Sequence, residues 1–232
     1  FEYVKREDIK EWLPETEGMD KVDVFFHEEG YPSISQIREE FGDKCLKDTI
    51  VSYNTIKEAQ TQKYLNRKMD ICHSKFSKRE SKARISDILD NYTGLNNRQN
   101  TIISPKMLSS SYDLNVSNIF SQTSHPTTDS QMIGRGNRKK NKTCEYHLYK
   151  PENVPKIVSN FKSTHIEWNN HLSSVLRNKT TFTHREFLVE CYDNFFQNDS
   201  NRTNYKKELI ELMCDSSEEL SKWFPKKGLS AT

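Results

Sequence analysis

The chain has 232 residues, of which 33% are hydrophobic and 29% charged, and its formal net charge is +2. That length holds one large domain, or a domain with an appendage, and is enough to bury a sizeable core. The small net charge excludes a global basic field, so any contact with nucleic acid has to come from local patches.

In chain order, residues 5–13 read as a short helix stopped by Pro14. Residues 22–26 (Val, Asp, Val, Phe, Phe) are rich in strand formers, and residues 28–32 form a Gly/Pro turn. Ser33 is placed to cap an amphipathic helix over 34–41. From residue 48 strands and helices alternate: strand 49–53, helix 56–66, strand 69–72, helix 77–91 and strand 101–104, then strands at 116–120 and 144–149. Alternation of this kind indicates βαβ units and a parallel sheet. After Pro155 the strand signal fades. Helical spacing covers 156–176, Thr183 and Glu186 form a capping box, and residues 216–219 read as the start of another helix closed by Pro225. The aromatic residues Phe182, Phe187, Tyr192, Phe195, Phe196, Trp223 and Phe224 recur at core spacing. Trp168 and His171 read as too close together to share a helical face. The expected organisation is residues 1–47 leading into a lobe or linking it to another, 48–155 as the α/β lobe, and 156–232 as a helical accessory domain.

Five isolated cysteines, Cys45, Cys72, Cys144, Cys191 and Cys214, form no C-x-x-C pair. This argues against a zinc ribbon or dithiol redox motif, and no metal ligand set is expected. Reduced thiols fit a cytoplasmic setting. No apolar run approaches the ~20 residues of a membrane span, and no signal peptide is visible. The chain opens at Phe1 rather than Met, as expected of a segment of a longer protein.

The stretch that carries chemistry is Gln131, Met132, Ile133, Gly134, Arg135, Gly136, Asn137 and Arg138, preceded by a Ser/Thr/Pro turn over 125–130. Two arginines three apart lie on one side of a helical turn. Their planar guanidinium groups suit phosphate oxygens better than lysine does. Gly134 lets the backbone come close to whatever the arginines touch, and Gln131 adds a side chain that both donates and accepts. In an open parallel sheet ligands bind beyond the carboxyl ends of the strands. There the chain offers Asn54 and Thr55, then His73 and Ser74, then Ser104. Hydroxyl groups and helix N-termini at such positions suit the phosphates of a nucleic-acid strand.

The order strand, Asn54-Thr55, helix, strand, His73-Ser74-Lys75-Phe76, strand, Ser104-Pro105, Tyr112-Asp113-Leu114, strand, then Q-x-x-G-R-x-x-R resembles the second RecA-like lobe of superfamily 2 helicases, from motif IV to motif VI. Within that group the N-T-x-x-x-A-Q stretch at 54–60, the H-S-K-F stretch at 73–76 and the G-R-x-N-R ending at 134–138 look most like the CRISPR-associated helicase of type I systems. The resemblance covers about residues 48–150. It implies a RecA-like parallel sheet sandwiched by helices and followed by a small helical extension. Arg135 and Arg138 would reach the γ-phosphate of ATP, with Gln131, Gly134 and the motif V Asp113 beside the nucleotide. Asn54, Thr55, His73, Ser74 and Ser104 would lie along a nucleic-acid strand. The implied partners are single-stranded DNA, a first RecA-like lobe that holds ATP and Mg²⁺, and a CRISPR surveillance complex, with no membrane. Both guanidinium groups are expected to face the strand-end crevice, clear of their own carboxylates.

The sequence departs from that family pattern at Ser109 or Ser110, where a glutamate is usual, at Ser104 for threonine, and at Met132 for arginine. No G-x-x-x-x-G-K-[ST] or D-E-x-[HD] occurs, so this segment holds half an ATPase site and is expected not to hydrolyse ATP alone. The absence of a His-Asp dipeptide excludes a fused nuclease from it. Two other readings are a viral or plasmid replication helicase of the same superfamily, and a non-catalytic RecA-like domain that binds nucleic acid or a partner.

Overall fold

A computed structural model describes residues 21–28, 30, 33–67, 69–72, 83, 86, 101–106, 114–138, 143–151 and 161–223. The strands are β1 (Lys21–His27), β2 (Thr49–Tyr53), β3 (Asp70–Ile71), β4 (Thr101–Pro105), β5 (Asn118–Gln122), β6 (Glu145–Tyr149) and β7 (Thr181–Thr183). The helices are α1 (Ile34–Phe41), α2 (Ile56–Leu65), α3 (Pro126–Ile133), α4 (Lys162–Leu176), α5 (His184–Phe187), α6 (Asn194–Gln197) and α7 (Asp199–Trp223). The sheet order is β3-β4-β2-β5-β6-β1-β7, parallel except where β7 runs antiparallel to β1.

The central strands β2 and β4 are buried along their whole length, which is why they read as near-continuous apolar runs. The pleat sends Ile50 to one face and Val51 to the other. On the face of Val51 lie Ile103, Ile71 and Phe120, covered by Ile34 and Ile37 of α1 and Ala59 of α2. On the face of Ile50 lie Ile102, Ile119, Tyr146 and Leu148, covered by Met132 and Ile133 of α3 and by Trp168, Leu172 and Leu176 of α4. The C-terminal aromatics Phe182, Phe187, Phe195 and Phe196 extend that second layer as core, with Tyr192 packed against it. Ser33, Thr55 and Thr183 each cap a helix in a full capping box.

Three readings change. Residues 126–133, part of the expected turn and its sequel, form a helix with His125 as cap and Pro126 in the first turn, where its missing N–H is harmless. The helix expected to open at 216 does not start there, because α7 runs unbroken from Asp199 to Trp223. Trp168 and His171 share a face of α4 and stack with centroids 6.0 Å apart, as positions three apart on a helix do. The His171 Nε2–H donates to the Cys191 carbonyl at 2.9 Å, within a π-helical turn over Leu188–Asp193. That pitch leaves carbonyls without their usual helical donor.

The sheet draws on all three stretches of the chain. β1 lies between β6 and β7, and α4 is fastened at its N-terminus by Glu208 of α7. The Glu208 carboxylate accepts from the Ser163 N–H at 2.7 Å, from the Thr164 N–H at 3.3 Å and from the Thr164 hydroxyl. A carboxylate there completes an N-terminus whose own cap position, Phe161, offers no side-chain acceptor. The expected helices over 5–13 and most of 77–91 and 156–161 fall outside the described residues. No helix among the described residues is long and apolar enough to cross a membrane. All five cysteines are free thiols.

Candidate functional site

Helix α3 starts beyond the carboxyl end of β5 and returns along the sheet, so the arginine stretch lies at the opposite, amino edge. The helix ends at Ile133. The Arg135 N–H then donates to the Met132 carbonyl at 2.9 Å and the Gly136 N–H to the Ile133 carbonyl at 3.0 Å. The Arg135 carbonyl accepts from the Val116 N–H at 3.1 Å, and the Asn137 N–H donates to the Val116 carbonyl at 3.0 Å. A parallel bridge between Val116 and Gly136 thus pins the turn just before β5. Asn137 holds the left-handed conformation at φ 44°, which asparagine tolerates better than most residues.

Two expectations are corrected here. Arg135 and Arg138 do not lie on one helical face, because the chain leaves the helix before either. Arg135 is buried and Arg138 exposed. Their backbone is at the amino edge of β5 and not at the carboxyl-edge crevice. Within the fold itself, the glycine that a close approach demands is Gly136. A Cβ on Gly136 would meet the Cys144 Sγ at 2.2 Å, whereas one on Gly134 would meet only the Gln131 carbonyl, at 3.3 Å. Gln131 is exposed near the end of α3.

At the carboxyl edge the polar residues are largely engaged within the fold. Asn54 is buried. Its backbone N–H donates to Gln122 Oε1 at 2.8 Å and its Nδ2 to the Thr123 carbonyl at 2.9 Å, tying the end of β2 to that of β5. Thr55 accepts from the Glu58 N–H at 3.1 Å, and its hydroxyl donates to Glu58 Oε2 at 2.7 Å. The N-terminus of α2, read as a place for phosphate, therefore already carries a carboxylate. Ser104 is fully buried and donates to the Pro105 carbonyl at 2.6 Å, so it does not reach a nucleic-acid strand in this conformation. His73, Ser74 and Asp113 lie outside the described residues.

Beneath this edge is a charged cluster that the sequence reading missed. Lys106, directly after β4, is 8% exposed, and Asp129, in α3, is 0% exposed. The Lys106 ammonium donates to Ser121 Oγ at 2.5 Å and to the Gln122 carbonyl, and lies 3.3 Å from Asp129 Oδ1. The other carboxylate oxygen, Oδ2, accepts from the Ser124 N–H at 2.9 Å and from the Trp168 indole N–H at 3.0 Å. Burial lowers the Lys106 pKa, while Asp129 pulls it back up. Burial, reinforced by Asp129, raises that of Tyr146, whose hydroxyl donates to the Asp129 carbonyl at 3.3 Å. Two charges survive out of water only when each has partners on several sides, as here. One signal was legible: a tryptophan buried in a helix needs an acceptor for its N–H.

The donors at the arginine turn, two guanidinium groups and the Gln131 amide, fit phosphate oxygens and not a cation. Among the described residues no cluster of three or more His, Cys, Asp or Glu could hold a metal ion.

Comparison with solved structures gives the architecture a counterpart. Over 90% of this chain and 27% of the other, T. fusca Cas3 superposes with a TM-score of 0.70 at 16% identity. Its ADP-bound form gives 0.66 at 18%, over 90% of this chain and 28% of that one. The chain carries the RecA-like fold found in Cas3. A chain of a CRISPR RNA-guided surveillance complex in its pre-nicking state matches at 0.65 and 17%, over 85% of this chain and 28% of that one. This chain thus spans less than a third of the length of each of these. No family model matches it, and no curated relative does.

Proposed function

We propose that the chain is the second motor lobe of an ATP-dependent superfamily 2 DNA helicase or translocase, acting with a CRISPR type I surveillance complex. Arg135 and Arg138 are presented across a gap to the γ-phosphate of ATP held, with Mg²⁺, by a first RecA-like lobe. Gln131, Gly134 and Asp113 line that approach. Single-stranded DNA runs along the carboxyl edge over Thr55, His73 and Ser74, with Asn54 and Ser104 fixing the layer beneath. Gripping DNA at one edge and ATP at the other makes the lobe a lever. Closure on ATP and release after hydrolysis shift the grip along the strand.

The observation that carries this reading is the construction of the 134–138 turn. Its backbone is fixed by the Val116 bridge and by close packing on Cys144, while Arg138 stays exposed at the edge of a Cas3-like fold. A fixed backbone lets a guanidinium stabilise transferring charge without reorganising first. Any protein that joins this chain to its ATP-binding lobe supplies the test. Arg135→Ala and Arg138→Ala each lower DNA-stimulated ATP hydrolysis by about 10³-fold, with ATP binding retained. Unchanged hydrolysis removes the finger assignment. A second reading, a non-catalytic RecA-like module that binds nucleic acid or a partner, draws support from the internal engagement of Asn54, Thr55 and Ser104. On that reading neither substitution alters ATP turnover.

A further inference from the structure

The helical part after residue 160 packs on Met132 and Ile133, and two of its side-chain bonds reach the arginine turn or the carboxylate midway along the helix that leads into it. The first is Trp168 of α4, whose indole N–H donates to Asp129 Oδ2 at 3.0 Å, midway along the helix that leads into the turn. The second is His184, the first residue of α5, whose Nε2 lies 3.0 Å from the Gly136 carbonyl. A carbonyl only accepts, so His184 presents its Nε2–H. Gly136 sits between the two arginines in a place with no room for a Cβ. Its carbonyl belongs to the peptide that leads into the left-handed Asn137 and so sets the direction in which Arg138 leaves.

The helices have other fastenings besides these two contacts. α4 and α7 are joined through Glu208, and the C-terminal aromatics are held in the core they share with the sheet. The turn also has its own fixings to Val116, but these bond the Arg135 carbonyl and the Asn137 N–H and leave the Gly136 carbonyl to His184. We infer that the C-terminal helical region is a positioning element for the arginine turn, with His184 and Trp168 as its positioning residues. The inference rests on the finger reading proposed above and assigns a role to a region that reading leaves idle. Through Asp129 the same element reaches Lys106, at the strand end where nucleic acid is placed. A displacement of α4 or α5 therefore moves the guanidinium groups relative to the phosphate without touching either ligand.

The test uses the protein that carries both lobes, with ATP and single-stranded DNA as the probes, and compares His184→Ala, His184→Gln, Trp168→Phe and Arg135→Ala. Misplacing a catalytic group by about 1 Å costs up to about 100-fold. His184→Ala is therefore expected to lower kcat by about tenfold or more, with KM for ATP, DNA affinity and Tm unchanged. His184→Gln restores most of kcat, because its amide N–H replaces the imidazole donor. Trp168→Phe gives a smaller fall of the same kind. If Arg135→Ala abolishes turnover while His184→Ala keeps the wild-type kcat, the inference fails and the finger reading stands. If Arg135→Ala itself turns over normally, both fail. A His184→Ala protein that melts early, or one whose defect glutamine does not repair, also overturns the inference, since the imidazole then serves the fold at large.

Discussion

The carboxyl edge of the sheet and the arginine turn at its amino edge use their polar residues in different ways. At the carboxyl edge Asn54, Thr55, Ser104 and Lys106 all direct polar groups into the protein, closing the ends of β2, β4 and β5 against one another. At the arginine turn, on the amino edge, the backbone is fixed by main-chain bonds, by the His184 imidazole and by a missing Cβ, and Arg138 remains exposed. A motif position can therefore be occupied by the expected residue type at both edges and still mean different things. At one edge the residue builds the platform, and at the other it is what the platform presents.

The largest effect that separates the two edges is expected at the buried charge pair. Lys106→Met leaves the Asp129 carboxylate without its ammonium partner, and urea denaturation should show a loss of about 3–5 kcal/mol. Lys106→Met combined with Asp129→Leu recovers only part of it, because the apolar pair needs no partner but the Ser124 N–H and the Trp168 indole N–H lose their acceptor. A loss below about 1 kcal/mol for the single change would mean that the carboxyl-edge cluster is not closed to water. Next comes the amino edge. Gly136→Ala should cost about 1–3 kcal/mol through overpacking against the Cys144 sulfur, and adding Cys144→Ala should return much of it. If the pair of changes is merely additive, the turn is not held by that contact.

Acid should act on the body of the sheet more than on the turn. Burial pushes His125 down to about 4, and burial followed by the nearby His27 pushes His147 down to about 3. Both stay neutral when folded at pH values where the unfolded chain binds protons. The stability present at pH 7 is therefore lost as pH falls through about 6.5 towards 3, by up to about 1.4 kcal/mol per pH unit for each histidine. His147, stacked on Phe120 at 4.7 Å, is the cleaner probe. His147→Phe should flatten the acid limb of a stability-against-pH curve, and a slope that does not change assigns it to other groups. The smallest effect is at Thr55. Thr55→Ala removes a cap at a cost of about 1 kcal/mol, and Thr55→Ser restores it. Equal melting of all three proteins would leave the hydroxyl available for another role.

What was legible in the sequence follows from how local each signal is. The β-branched runs at 49–53 and 101–104 and the capping box at Thr183 are written within a few residues, and they appear as read. Helix α3 was hidden because Pro126, Thr127, Thr128, Asp129 and Ser130 are individually poor helix formers, and tertiary burial of Met132 and Ile133 outweighs that preference. Strand β7 has three residues and exists because β1 offers it an edge. The Lys106–Asp129–Trp168 cluster joins positions 23 and 39 residues apart, through residue types that are ordinarily read as surface or core in isolation. The spacing of the two arginines was plain, but their placement was not. It depends on where α3 stops and on Gly136 fitting beneath Cys144.

The claim on which the account depends is that the 134–138 turn meets a nucleotide held by another lobe. Modification by an arginine-selective dicarbonyl, mapped by peptide mass in the protein carrying both lobes, addresses it directly. Arg138, exposed here, should label readily without ligand and become protected when a non-hydrolysable ATP analogue and single-stranded DNA close the lobes, while exposed Arg177 and Arg202 label equally in both states. Equal labelling of Arg138 with and without the analogue would contradict the account.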